Sequence, residues 1–210
     1  MSYQNKKVGI MGGTFDPIHY GHLMLAQNAL ETYQLDEIMF VPSGTPWLKD
    51  STKVLSKNKR VHMTGIAIED NTNFALSTIE IDREGNSYSY ETVEELKKQQ
   101  PDTEFYFILG ADSVLEIEKW KYPDRLMSEC ILLAAVRDEC DREGLQKQIA
   151  YLEEKYKADI RILPAKRVDI SSTDIRSRIA EGKSVRYMLP DQVIQFIEKN
   201  HLYTESEVED

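Results

Sequence analysis

The chain has 210 residues, 41% hydrophobic and 30% charged, with only seven prolines and ten glycines. That composition can bury a core and excludes broad disorder. A net charge of −10 excludes a protein that wraps nucleic acid nonspecifically, because neutralising phosphates needs a basic face; nucleotide binding stays open, since backbone N–H groups and a few cations can hold a triphosphate.

Residues 7–11 read as a first strand, ended by Gly12 and Gly13. Residues 20–33 read as a helix, with Leu23, Leu25, Ala26, Ala29 and Leu30 on an apolar face. A second strand over 37–41 stops at Pro42, and a polar loop over 43–57 leads to a helix over 58–69. A strand over 74–81, a helix over 88–99 and a continuous apolar strand over 105–109 follow, the last closed by Gly110 and of the kind buried on both faces. The apolar run after Cys130 is a fifth strand, 141–155 a helix and 159–163 a sixth strand; helices over 172–181 and 190–200 complete the pattern.

Strand–helix alternation at this spacing implies right-handed crossovers and a mostly parallel sheet with helices on both faces, an α/β doubly wound fold. Such sheets bind ligands beyond the carboxyl ends of their strands. No linker divides the chain, so we expect one domain over 1–203, followed by an acidic, frayed tail over 204–210. Cys130 reads as core, and neither it nor Cys140 has the spacing of a zinc site or a disulfide framework. No signal peptide and no stretch of membrane-spanning length is present, so the expected compartment is the cytoplasm, with neither nucleic acid nor membrane as partner.

Chemistry concentrates where the first strand hands over to the first helix. Gly12 and Gly13 allow close approach of a ligand or positive φ. The following helix directs its N-terminal N–H groups and dipole at the same spot, which favours an anion. His19 and His22, half of the four histidines, are three apart and can face one ligand. A second cluster, Ser171, Ser172, Thr173 and Arg176, opens a late helix. Its hydroxyls cap that helix, while Arg176 one turn inside can reach a bound phosphate; the two roles are compatible.

The stretch Gly-Gly-Thr-Phe-Asp-Pro-Ile-His-Tyr-Gly-His over 12–22 resembles the H-x-G-H signature of the nucleotidylyltransferase superfamily. Ile170–Arg176 is similar to its second signature, I-S-S-T-x-x-R. That resemblance implies a Rossmann-like fold and direct attack of a substrate phosphate on the α-phosphate of a nucleoside triphosphate. His19, His22 and Arg176 would be catalytic. Gly12, Gly13, Thr14, Phe15, Gly110, Asp112, Arg137, Ser171, Ser172 and Thr173 would join them around ATP.

The acceptor is implied by further likeness to bacterial nicotinate mononucleotide adenylyltransferases. Gly110-Ala111-Asp112 followed by Trp120, the segment from Arg83 to Val93, and Lys59–Met63 all resemble that group. By spacing alone Trp120 reads as a half-buried core aromatic; by resemblance it stacks on a nicotinate ring. Lys49, Ser89 and Asp112 would share the acceptor with it, Ser89 standing where the group usually has Thr. The chain departs from the pattern at Leu48, Asp138–Glu139 and Lys121. Magnesium is expected to arrive on ATP, with few protein ligands. The reading is therefore adenylyl transfer from ATP to nicotinate mononucleotide. The alternatives are transfer to nicotinamide mononucleotide or phosphopantetheine, or a non-catalytic nucleotide sensor, and a homo-oligomer is left open.

Overall fold

A computed structural model describes residues 5–46, 54–136 and 142–204. β1 (Lys7–Gly13) leads into α1 (Tyr20–Thr32), β2 (Glu37–Pro42), a two-residue β3 (Thr45–Pro46), α2 (Lys57–Ile68) and β4 (Phe74–Leu76). A second two-residue strand, β5 (Asn86–Ser87), precedes α3 (Ser89–Gln99) and β6 (Glu104–Gly110). After α4 (Ala111–Leu115) and a 3-10 turn over Ile117–Lys119 come α5 (Pro123–Glu129), β7 (Ile131–Val136) and α6 (Arg142–Tyr156). β8 (Ile160–Pro164), α7 (Ser172–Ala180) and α8 (Asp191–Lys199) close the fold.

Six strands form one sheet in the order β4-β2-β1-β6-β7-β8, each neighbouring pair parallel. The chain leaves β1 toward β2 on one side and later returns to lay β6 on the other, which puts the switch point between β1 and β6. The strands are apolar almost throughout, and the two-residue period sends successive side chains to opposite faces. Ile38 and Phe40 pack with Ala26, Ala29, Met63, Ile175 and Val193 of α1, α2, α7 and α8. Met39 and Val41, their direct neighbours in β2, pack with Val93, Val114, Leu126 and Leu145 of α3, α4, α5 and α6. Helices therefore cover both faces, as expected for a doubly wound sheet. None of the described helices is long and apolar enough to cross a membrane.

Two local readings change. The strand expected over 74–81 ends at Leu76. Beyond it the chain turns, with the N–H groups of Ile81 and Asp82 both donating to the Thr78 carbonyl at 2.8 and 3.0 Å, and the Thr78 hydroxyl donating to Asp82 at 2.8 Å. Short polar side chains offer the backbone these turns in competition with an edge ladder. Between β6 and β7 the sequence reading placed no helix, yet α4 and α5 lie there, α5 opened by Pro123. At five and seven residues they are too short to show a helical period. They are stabilised by packing Val114, Ile117, Leu126 and Met127 into the core.

Candidate active site

β1 delivers Gly12 and Gly13 to the carboxyl edge of the sheet, and α1 starts seven residues later. Neither glycine has positive φ; among the described glycines only Gly85 and Gly182 do. Close packing is what Gly13 provides, since a Cβ there would lie 2.9 Å from the Phe15 ring. Phe15 itself takes the left-handed conformation at φ 51°, which costs a non-glycine residue about 1 kcal/mol or more. Its side chain is buried under the site, edge-on to His22 with ring centroids 5.1 Å apart. Phe15 can thus meet a ligand only through its backbone, which narrows its expected part in lining the cleft.

The Thr14–Pro17 loop is held from four distant points. The Arg60 guanidinium donates to the Thr14 carbonyl at 2.8 Å, Arg176 to the Asp16 carbonyl at 2.7 Å and the Ser172 hydroxyl to the Pro17 carbonyl at 2.9 Å. The Tyr203 phenol donates to the Asp16 carboxylate at 2.7 Å. Asp16 is 4% exposed and Arg60 only 1%. Burial lowers the Arg60 pKa from its ordinary value, opposed chiefly by the Asp16 charge. Burial, reinforced by that same charge and hydrogen bond, pushes the Tyr203 phenol well above its ordinary range. A buried charge persists only when it is paired and hydrogen-bonded, and this loop supplies the partners.

The two histidines stack at the start of α1, with ring centroids 3.7 Å apart and planes 27° from parallel. The His19 N–H donates to Nδ1 of His22 at 3.3 Å. An Nδ1 that accepts assigns the ring proton of a neutral imidazole to Nε2, so His22 presents a donor. A cavity of about 760 Å³ opens against His19, Gly21 and His22 on one side and Ser171, Ser172 and Thr173 on the other. Leu25, Ile162, Val168 and Ile170 give it an apolar wall. The two motifs, some 150 residues apart, thus meet across one space. Ser171 caps α7 by accepting from the Asp174 N–H at 3.1 Å, so its predicted capping role is present. Arg176 donates to the Asp16 carbonyl and, at 3.4 Å, to the Thr173 hydroxyl, and retains others of its five donors.

Gly12, Gly13, Thr14, Gly110 and Asp112 fall outside the lining of that cavity. They stand at the ends of β1 and β6 and the start of α4, at the switch point itself. Trp120 is half-buried on the opposite face of the sheet, edge-on to Phe107 at 6.5 Å between centroids. The Phe107 ring also lies 3.6 Å from where a Gly12 Cβ would stand, so Trp120 and Gly12 flank one side chain. Ser89 is the first residue of α3, whose N-terminus carries no side-chain cap hydrogen bond. Above Tyr88, Lys121 sets its ammonium 4.2 Å from the ring centroid. Lys49, Leu48, Arg137 and Asp138–Glu139 lie outside the described residues.

Sequence reasoning gave no role to Arg60, Asp16 or Tyr203. A signal for Arg60 existed: it shares the i, i+3, i+4, i+7 stripe of α2 with Met63, Thr64 and Ala67, all buried. An arginine on an apolar stripe needs an internal partner. Asp16 and Tyr203 carry no comparable mark. Among the described residues no group of three His, Cys, Asp or Glu side chains has the arrangement of a metal site. The hydroxyl, imidazole and guanidinium donors suit phosphate oxygens.

A doubly wound parallel sheet with a donor-rich cavity beside its switch point defines a nucleotide-binding α/β protein. The cytidylyltransferase-like family matches residues 10–178. A Lachnoclostridium phytofermentans protein named "Probable nicotinate-nucleotide adenylyltransferase" is 46% identical over 94% of this chain and 99% of its own length. A Clostridium botulinum (strain Eklund 17B) protein of the same name is 45% identical over 95% and 99%. Among solved structures, Plasmodium falciparum nicotinic acid mononucleotide adenylyltransferase complexed with NaAD superposes with a TM-score of 0.78, at 22% identity, over 94% of this chain and 97% of that one. The chain belongs to the nicotinate-nucleotide adenylyltransferase branch of the cytidylyltransferase-like family.

Proposed function

We propose that this protein transfers the adenylyl group of ATP to nicotinate mononucleotide, releasing pyrophosphate and forming nicotinate adenine dinucleotide, a step toward NAD. The observation that carries the reading is the cavity in which His19 and His22 face Ser171–Thr173. ATP occupies that side, and its triphosphate runs along the α1 and α7 N-termini toward the switch point. The acceptor occupies the other face, with its ring against Trp120 and its carboxylate at the first turn of α3 beside Ser89. The two substrates then meet over Gly12 and Gly13, whose missing side chains leave room for the reacting phosphates.

An oxygen of the acceptor phosphate attacks the α-phosphorus, the bond to the bridging oxygen breaks, and negative charge grows on the departing pyrophosphate. Phosphoryl chemistry of this kind asks for positioning and charge stabilisation. His22 donates from Nε2 and Arg176 from its remaining guanidinium donors. Magnesium bound to the triphosphate would shield charge on the phosphate oxygens; the protein's contribution to that ion is small, given its donor set.

The test is pyrophosphate release by purified protein with ATP and, in turn, nicotinate mononucleotide, nicotinamide mononucleotide and phosphopantetheine. Nicotinate mononucleotide is expected to give the highest kcat/KM. Release with none of the three would overturn the reading in favour of a nucleotide sensor.

A further inference from the structure

Glu80 stands in the turn segment between β4 and β5, 9% exposed. Its Oε1 accepts the hydroxyl proton of Thr92 at 2.8 Å, one turn inside α3. The Ser87 hydroxyl lies close enough to the same carboxyl to lower its pKa, and its oxygen accepts the Gly44 N–H at 3.0 Å. The Gly44 carbonyl in turn accepts from Arg60 at 3.0 Å, and the same guanidinium reaches Thr14 at 2.8 Å. Gly44 sits so close to Glu80 that a Cβ there would come within 2.1 Å of the Glu80 carbonyl oxygen. A continuous polar chain therefore runs from the first turn of α3 to the loop after β1. It crosses from one face of the molecule to the other.

A buried carboxylate costs several kcal/mol unless its oxygens are satisfied. Burial is the main influence raising the Glu80 pKa, opposed by the two hydroxyls and the Arg83 charge. An apolar side chain would fill the same volume without that cost, so the carboxylate contributes geometry. With two acceptor oxygens it can hold the α3 hydroxyl on one while the other is left for the β5 side.

We infer that Glu80 is a positioning residue for adenylyl transfer: through Ser87, Gly44 and Arg60 it fixes the acceptor-binding turn of α3 relative to the Thr14 loop. This rests on the proposed placing of the acceptor at Ser89. Glu80 touches neither substrate; it acts through the elements that do.

The experiment uses the full chain with Glu80→Gln, Thr92→Val and Thr92→Ser. KM values for nicotinate mononucleotide and ATP are measured for each, alongside binding of a non-hydrolysable ATP analogue alone. Glu80→Gln and Thr92→Val are expected to raise the acceptor KM about tenfold, the size of one lost charge-assisted hydrogen bond. ATP KM and analogue affinity stay within about twofold on the same argument, since the cavity beside α1 and α7 is not reshaped. Thr92→Ser, which keeps the hydroxyl, restores the acceptor KM. Parallel rises in both KM values, or a lower melting temperature with both KM values unchanged, would reduce Glu80 to a structural role and overturn the inference. Should Glu80→Gln fail to fold, the Thr92 pair decides the question alone. If the parent protein adenylylates no pyridine mononucleotide, the acceptor reading fails and this inference with it. If the parent does so and both variants match it, this inference alone fails.

Discussion

His22 is oriented twice, by the backbone N–H of His19 at its Nδ1 and by the Phe15 ring edge-on to it. A donor held in this way loses no reorganisation energy as charge develops, which is where preorganised groups have most effect. His22→Ala is accordingly expected to lower kcat by about 10²–10³-fold, with the ATP KM little changed. Steady-state kinetics of pyrophosphate release check this, and full retained activity would remove His22 from the chemistry. Trp120→Ala tests the other face. By stacking energetics of about 1–3 kcal/mol per base-like ring, the acceptor KM should rise by one to two orders of magnitude while that for ATP holds. The two signatures were readable in the sequence because glycine pairs, histidine spacing and a capped helix start each have a local physical meaning. Arg60, Asp16 and Tyr203 were not, because their meaning lies in carbonyls and carboxylates brought in from residues 46 to 187 positions away.

At the scale of elements, the sheet was largely legible. The runs 7–11, 37–41, 105–109 and 131–136 are apolar, the first three closed by Gly or Pro, and each became a strand within two residues of its expected ends. What escaped was local turn chemistry after Leu76 and the short helices α4 and α5, where packing decides and periodicity is too brief to read. The two-residue β3 and β5 are a further case. They pair, Thr45 with Asn86 and Pro46 with Ser87, next to Gly44, whose close approach to the Glu80 carbonyl has no mark in the sequence. Gly44→Ala is expected to destabilise the fold by about 1–3 kcal/mol, the cost of forcing atoms into a closed space; a urea titration measures it. Tyr203→Phe should cost about 1–3 kcal/mol by leaving the buried Asp16 carboxylate short of a donor. Unchanged stability in that variant would show that another group or water satisfies Asp16.

For the molecule as a whole, the two apolar layers lie on either side of one sheet, and Cys130 belongs to the layer beneath α5 and α6. Burial drives its thiol pKa far up, and the thiol lies 3.3 Å from the Leu126 carbonyl, to which it donates. Thiolate is the reactive form, so in a Cys140→Ser background the native protein should resist a thiol reagent. Labelling should become rapid only once denaturant opens that layer, and its rate then reports the opening free energy. Rapid labelling without denaturant would mean that this face breathes independently of the remainder.

The clamp on the Thr14–Pro17 loop has a consequence for biosynthesis. The glycine pair and both histidines leave the ribosome early, and residues 172 and 176 follow only after the sheet is complete. Tyr203, which grips Asp16, emerges after all of these. A nascent chain can therefore lay down much of its scaffold while the Thr14–Pro17 loop is still unfastened. Fastening that loop therefore has to follow the scaffold, because it joins side chains 187 positions apart in the chain.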